Sequence, residues 1–131
     1  MPTAKSYRIA IADDFPEILQ RMKELLKQKN CEVVITALNG KELIEAIRHC
    51  HAPPDICLVD MNMPVMGGLI TIAALKKDWP NIKVIACSAS AQPHNMDTLK
   101  KAGANHFYQK GQPLEKLITL FSIPEFCVVV P

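Results

Sequence analysis

Residues 56–68 read ICLVDMNMPVMGG, an apolar run that ends on an aspartate and leads into a loop with two glycines. Ile56–Val59 is apolar at successive rather than alternate positions, which is typical of a strand that is covered on both faces. Similar short runs lie at Tyr7–Ala12, Glu32–Leu38, Lys83–Cys87 and, more weakly, His106–Gln109. The five runs predict five strands of a parallel sheet.

Each predicted strand is followed by a segment in which apolar residues recur at helical spacing. The connections are too short for anything but crossover units, so the sequence predicts an α/β fold with (βα)5 order. Its helices cover both faces of a five-stranded, doubly wound parallel sheet. The helical stripes run over Phe15–Leu26, Leu43–Ile47, Leu69–Leu75, Met96–Leu99 and Leu114–Phe121.

Length and composition favour one globular domain. The chain has 131 residues and a net charge of +2, which is too small and too dispersed for a nucleic-acid-binding face. No apolar run reaches the ~18–20 residues of a membrane span, and residues 1–6 are too short and polar for a signal peptide. Five cysteines without a C-x-x-C pair fit reduced thiols. We therefore expect a cytoplasmic protein that binds neither membranes nor nucleic acid directly.

The carboxyl ends of the predicted strands carry polar side chains. In a doubly wound sheet, ligands bind at these ends, beside the point where the strand order reverses. Strand one leads into Asp13 and Asp14, strand three into Asp60, strand four into Ser88 and strand five into Lys110. The two aspartates after strand one could simply cap the first helix, but capping does not account for the residues at the other strand ends.

Three carboxylates at one edge of a sheet repel one another unless one is protonated or a cation is bound. Oxygen ligands with room for water suit Mg²⁺, whereas the absence of His and Cys from these strand ends argues against zinc. A lysine (Lys110) and a hydroxyl (Ser88) beside such a cation are typical of a site for phosphoryl transfer.

The chain resembles a response-regulator receiver domain from Tyr7 to about Phe121. The resemblance is carried by IADD at 11–14, LVDMNMPVMGG at 58–68, Ser88, and FYQK at 107–110. It implies the flavodoxin-like strand order 2-1-3-4-5. It also implies a receiver domain over residues 1–122, with 123–131 as a tail or truncated linker.

The resemblance assigns roles in two-component signalling. Asp60 is the implied phosphoacceptor for a sensor histidine kinase or phosphotransfer protein, in a reaction that depends on Mg²⁺. Asp14 is the implied direct metal ligand, Asp13 acts through water, and Asn62 contributes its backbone carbonyl. Lys110 is expected to pair with the phosphoryl oxygens.

Two further residues are implied to form the switch. Ser88 turns inward to the phosphoryl group, and Phe107 moves into the space that is vacated. Asn62 and Ser90 occupy positions that tune the lifetime of the phosphoryl group. Gly111 stands where many receivers have a proline after a cis bond. A cis bond before a non-proline residue costs ~2.5–4 kcal/mol, which favours a trans or more mobile loop here.

The output of the switch is also implied by the resemblance. The Lys-Gly pair and the DDFP stretch resemble receivers attached to LuxR-type helix-turn-helix transcription factors, which implies an output domain outside this chain and a phosphorylation-dependent dimer. The domain would catalyse only its own phosphorylation and dephosphorylation. Ile123–Pro131 is interpreted first as a cut linker and second as a docking segment.

The sequence bears on three other functions. An aspartate-nucleophile phosphatase would need a second aspartate where Asn62 stands. An FMN carrier would need a phosphate-binding loop where Asp13 and Asp14 would repel the phosphate. A degenerate receiver that binds partners without phosphorylation stays open, because Gly111 and the C-terminal segment depart from the family pattern.

Overall fold

The computed structural model describes residues 6–89 and 95–131, so Ser90 lies outside the described residues. The described chain alternates strands and helices. The strands are β1 (Arg8–Ala12), β2 (Glu32–Ala37), β3 (Ile56–Asp60), β4 (Lys83–Ser88), β5 (His106–Gln109) and β6 (Cys127–Val129). The helices are α1 (Pro16–Gln28), α2 (Gly40–Arg48), α3 (Gly68–Asp78), α4 (Met96–Ala102) and α5 (Leu114–Leu120).

The strands form one sheet of order β2-β1-β3-β4-β5-β6, and every neighbouring pair is parallel. The predicted α/β fold with a parallel, flavodoxin-like sheet is confirmed. The predicted count of five strands is wrong, because Cys127–Val129 adds a sixth strand beside β5. Valine suits a strand, but a run of three residues is too short for its periodicity to separate a strand from a loop.

Alternate residues of the central strand β3 serve two apolar layers, and all five residues of this strand are buried. Cys57 and Val59 lie in the layer that also takes buried residues from α2, α3 and α4. Ile56 and Leu58 lie in the layer that takes buried residues from α1 and α5. Burial on both faces explains the continuous apolar run in the sequence, and Asp60, at the carboxyl end, is the only carboxylic acid of β3.

Gly68 brings the start of α3 against the end of β3. A Cβ atom at this position would lie 2.6 Å from the backbone oxygen of Asp60 and 2.6 Å from Cα of Met61. The same addition at Gly67 would meet nothing within 4 Å. Close backbone approach therefore requires glycine at position 68 and not at position 67.

The cysteines are all free thiols, as expected. Burial raises the pKa of Cys57 and of Cys87 to about 12 in each case, so both thiols stay protonated and pack as small apolar groups. Within residues 6–89 and 95–131, no helix combines the length and the apolar character needed to cross a membrane.

Candidate functional site

Three predicted carboxylates meet at the carboxyl edge of the sheet. Asp13 and Asp14 follow β1, and Asp60 ends the neighbouring strand β3. One carboxylate oxygen from each lies within 4.8 Å of the other two. Asp13 is 2% exposed and Asp60 is 5% exposed, so water screens their mutual repulsion only weakly.

Lys110 supplies a positive charge to this cluster from the end of β5. Its ammonium group donates a hydrogen bond to Oδ2 of Asp13 and lies 3.3 Å from Oδ1 of Asp60. Its backbone N–H donates to the carbonyl of Ser88 over 2.8 Å, which ties the strand end to β4. Burial on its own would lower the pKa of Lys110, but the hydrogen bond to Asp13 and the charge of Asp60 raise it above its ordinary value.

The carboxyl group of Asp60 is held in an environment that disfavours its charge. Burial raises the pKa of Asp60, and the negative charge of Asp13 adds to the rise. The charge of Lys110 and a hydrogen bond from the backbone N–H of Asn62 oppose it without cancelling it. Further positive charge at this point would stabilise the carboxylate form, which is the nucleophilic form.

Asp14 carries the polar atom that fits a cation best. Its Oδ1 is buried and has no hydrogen-bond partner among the described residues, and an unsatisfied buried carboxylate oxygen is costly. Asp13 differs, since its Oδ1 accepts from the backbone N–H of Phe15 over 3.0 Å. The N-cap of α1 is Phe15, without a side-chain cap, so helix capping does not explain the two aspartates.

The other predicted site residues lie close by in the fold. Ser88 ends β4 and is 0% exposed, and Phe107 in β5 is 3% exposed. Phe107 pairs with Ala86 of β4, two residues before Ser88. Asn62 lies in the β3–α3 loop, two positions after Asp60, and is exposed.

The loop after Lys110 is built without a cis bond. All described peptide bonds are trans, and Gly111 has a φ of +95°. Proline cannot adopt this φ, whereas glycine adopts it freely. The hydroxyl of Tyr108 donates to the carbonyl of Gln112, which holds the loop against β5. Glycine in place of the proline of many receivers thus accompanies a trans loop.

Two polar residues with structural contacts were missed by the sequence reasoning. Lys83 opens the apolar run of β4, and His106 opens that of β5; both donate hydrogen bonds to carbonyls near the C-terminal segment. A lysine and a histidine at strand starts are visible in the sequence. Their partners are backbone groups, which no residue pattern reveals.

Comparison with known proteins decides the family. The family model of the response regulator receiver domain matches residues 9–122. The chain belongs to this family. The chemotaxis protein CheY of Thermotoga maritima is 35% identical over 103 residues, which are 79% of this chain and 84% of that protein. The nitrate/nitrite response regulator NarP of Escherichia coli is 30% identical over 119 residues, which are 90% of this chain and 54% of NarP.

The fold of this receiver domain is shared by solved structures. A crystal structure of a CheX–CheY–BeF3–Mg²⁺ complex from Borrelia burgdorferi matches with a TM-score of 0.77 and 23% sequence identity, over 87% of this chain and 85% of that chain. The prediction of a response-regulator receiver domain is confirmed. The function of this receiver domain is therefore signal reception in a two-component system. Receiver domains interact with histidine kinases or phosphotransfer proteins and with output domains.

Proposed function

We propose that Asp60 accepts a phosphoryl group from a phosphohistidine of a sensor histidine kinase or phosphotransfer protein. The modified domain then changes its interaction with a partner or an output domain. The observation that carries this proposal is the shared ion pair: one half-buried lysine, Lys110, reaches both Asp13 and Asp60 inside a cluster of three carboxylates. A merely structural ion pair would not need the third acid.

The residues account for the chemistry as follows. A carboxylate oxygen of Asp60 attacks the phosphorus, an O–P bond forms, and the N–P bond of the donor breaks with its electron pair on the imidazole nitrogen. Lys110 lies 3.3 Å from Oδ1 of Asp60, close enough to donate to an oxygen of the transferred group. Such a preorganised donor stabilises negative charge without first having to reorient.

Mg²⁺ fits the acidic part of the site. Asp14 and Asp60 would hold it directly and Asp13 through water, with the backbone carbonyl of Asn62 as a further ligand, and when bound it would neutralise charge on the phosphoryl oxygens. The unpartnered Oδ1 of Asp14 supports this assignment. The CheY complex from Borrelia burgdorferi contains Mg²⁺ and BeF3.

The response to phosphorylation is assigned to Ser88 and Phe107. Ser88 at the end of β4 would donate its hydroxyl to the phosphoryl group. Phe107 would then repack within its apolar layer, where it is almost fully buried. Phe107 lacks a hydroxyl, so it signals through packing alone.

The domain is proposed to act as a switch with no external substrate. Asn62 stands where an aspartate phosphatase needs its general acid, which supports this view. NarP extends well beyond the 54% that this chain matches, which supports a receiver over 1–122 joined to an output domain, a LuxR-type helix-turn-helix domain in our proposal, with dimerisation on phosphorylation. Free thiols support a cytoplasmic location.

Acetyl phosphate tests the proposal without a known kinase. The chain is incubated with Mg²⁺ and acetyl phosphate, and its intact mass is measured. We expect a gain of one phosphoryl group that is lost in Asp60→Asn and in the presence of a chelator. An unmodified chain, with no thermal shift from beryllofluoride, would favour a phosphorylation-independent binding module instead.

A further inference from the structure

The segment after α5 returns along the edge of the sheet. We call residues 123–131 the strap. Its strand β6 runs parallel to β5, with His106, Phe107 and Tyr108 paired to Cys127, Val128 and Val129. The strap therefore covers the backbone donors and acceptors on the outer edge of β5, a position at which an uncovered strand would pair with another chain.

Lys83 fixes the place where the strap begins. Its ammonium group donates to the carbonyls of Leu120 at 3.2 Å, Phe121 at 2.8 Å and Ile123 at 3.0 Å. These carbonyls include the last of α5, which the helix itself leaves unpaired. The positive charge also suits the negative end of the helix dipole.

His106 holds the strap at two points. Its Nε2 lies 2.9 Å from the carbonyl oxygen of Ile123, and its Nδ1 lies 3.1 Å from the backbone nitrogen of Cys127. A carbonyl can only accept and an N–H can only donate, so the ring is neutral with its proton on Nε2. The imidazole is 0% exposed, and its two bonds fix the register of β6 on β5.

The side chains of the strap join both apolar layers. Phe126 packs on the layer that contains α4, with the Lys100 ammonium 5.3 Å from its ring centre. Ile123, Cys127 and Val129 pack on the layer that contains α5. If the strap left, apolar surface on both sides of β5 would be uncovered together with the strand edge.

The strap is connected to the acidic site through the sheet. One row of paired residues runs from Asp60 through Cys87 and Tyr108 to Val129. Lys110, directly after β5, forms the ion pairs of the site. A group that pulls Lys110 away from Asp13 therefore acts on the end of β5, and the outer edge of this strand carries the strap.

We propose that the strap is a releasable cover of the β5 edge, and that a phosphoryl group on Asp60 loosens it. This inference rests on the proposed function. β6 has three residues and one neighbouring strand, features of a segment that opens at low cost in free energy. Its bonds to His106 depend on the position of β5, which Lys110 adjusts when it turns to the phosphoryl oxygens. Release uncovers the backbone donors and acceptors at the outer edge of β5.

Thiol labelling of the full chain tests the inference. Cys127 lies in the strap and Cys50 lies after α2, and both are half-buried, so Cys50 is an internal control. Labelling is followed by peptide mass mapping, with and without Mg²⁺ and beryllofluoride, while the thermal shift reports binding of this phosphoryl mimic. We expect Cys127 to be labelled about tenfold faster with the mimic, and Cys50 at an unchanged rate.

The outcomes separate the inference from the proposed function. If the mimic binds and Cys127 is labelled at the same rate or more slowly, the strap inference is wrong while the receiver chemistry stands. If the mimic does not bind, the proposed function fails and the strap coupling fails with it. If Asp60→Asn shows the same acceleration, the effect does not come from the acidic site, and the inference is again overturned.

Two variants test, without any mimic, whether the bonds of His106 and Lys83 hold the strap. His106→Phe removes both ring nitrogens, and Lys83→Met removes the other donor to the Ile123 carbonyl. We expect each to speed labelling of Cys127 while the buried Cys57 stays unlabelled, which shows that the rest of the sheet is intact. Unchanged labelling of Cys127 in both folded variants would show that these bonds do not hold the strap.

Discussion

The ammonium group of Lys110 lies 3.3 Å from Oδ1 of Asp60, although fifty positions separate the two residues in the sequence. The same group binds Asp13, so one cation is shared by carboxylates from two other strands. In the function proposed above, this arrangement holds the lysine ready for charge that arrives on Asp60 at the carboxyl end of β3.

Lys110→Ala should slow phosphorylation of Asp60 by acetyl phosphate by about a hundredfold, because loss of one preorganised donor to a developing negative charge typically costs that much. The rate is measured by intact mass at a fixed donor concentration. Lys116→Ala, which removes an exposed lysine of α5, should phosphorylate like the unchanged chain. Equal rates for the two variants would exclude a role of Lys110 in the reaction.

Asp14→Asn should remove the stabilisation by Mg²⁺. A ligand present at ten times its Kd stabilises the folded state by about 1.4 kcal/mol, so the melting temperature of the unchanged chain rises measurably. The variant removes one charge from the carboxylate that has an unpartnered oxygen and should be more stable without metal and insensitive to it. A full Mg²⁺-dependent rise in the variant would show that the cation does not use Asp14.

Gly68→Ala should lower the free energy of unfolding by about 1–3 kcal/mol, which is usual for an added methyl group that has no space. Its Cβ would overlap the end of β3, so phosphorylation should slow as well. Gly67→Ala is the matched control, since its Cβ meets open space. Urea unfolding of the pair checks the claim, and equal losses would contradict the close approach.

His106 should make the stability of the fold depend on pH. Burial lowers the pKa of His106 from its ordinary 6.5, and the charge of Lys83 lowers it further. Hydrogen bonds with the backbone of Ile123 and Leu120 and the charge of Glu125 raise this pKa, but by less. The unfolded chain therefore binds a proton that the folded chain resists. The contribution of neutral His106 to the free energy of unfolding is fully present above pH 6.5. It is lost as the pH falls through 6.5 toward the pKa of His106 in the folded chain.

Urea unfolding at pH 7.5 and at pH 5.5 measures this loss. His106→Phe lacks the imidazole at position 106, so it should lose less stability between the two pH values than the unchanged chain. The same pH dependence in both chains would assign the effect to other groups.

Sequence reasoning identified the acidic site because parallel strands bring their carboxyl ends to one edge. Asp13, Asp14, Asp60 and Lys110 each follow an apolar run, and the sheet then gathers them. Which atoms pair was not predictable. The sharing of Lys110 between two carboxylates depends on side-chain positions that spacing does not encode.

The sixth strand escaped prediction for a different reason. Cys127–Val129 pairs with the edge of β5, and its Cys127 backbone N–H donates to Nδ1 of His106. Lys83 and His106 also donate to the carbonyl of Ile123 just before it, and a backbone partner leaves no residue pattern. Gly67 and Gly68 were likewise indistinguishable in sequence. Only the clearance around each Cβ shows that position 68 requires glycine.

The central claim is that Asp60, and no other acid of the cluster, receives the phosphoryl group. Borohydride reduction of the phosphorylated chain converts an acyl phosphate side chain to a stable alcohol, and peptide mass mapping locates it. We predict homoserine at position 60 alone. Homoserine at position 13 or 14, or a reduced chain without any modified aspartate, would contradict the account.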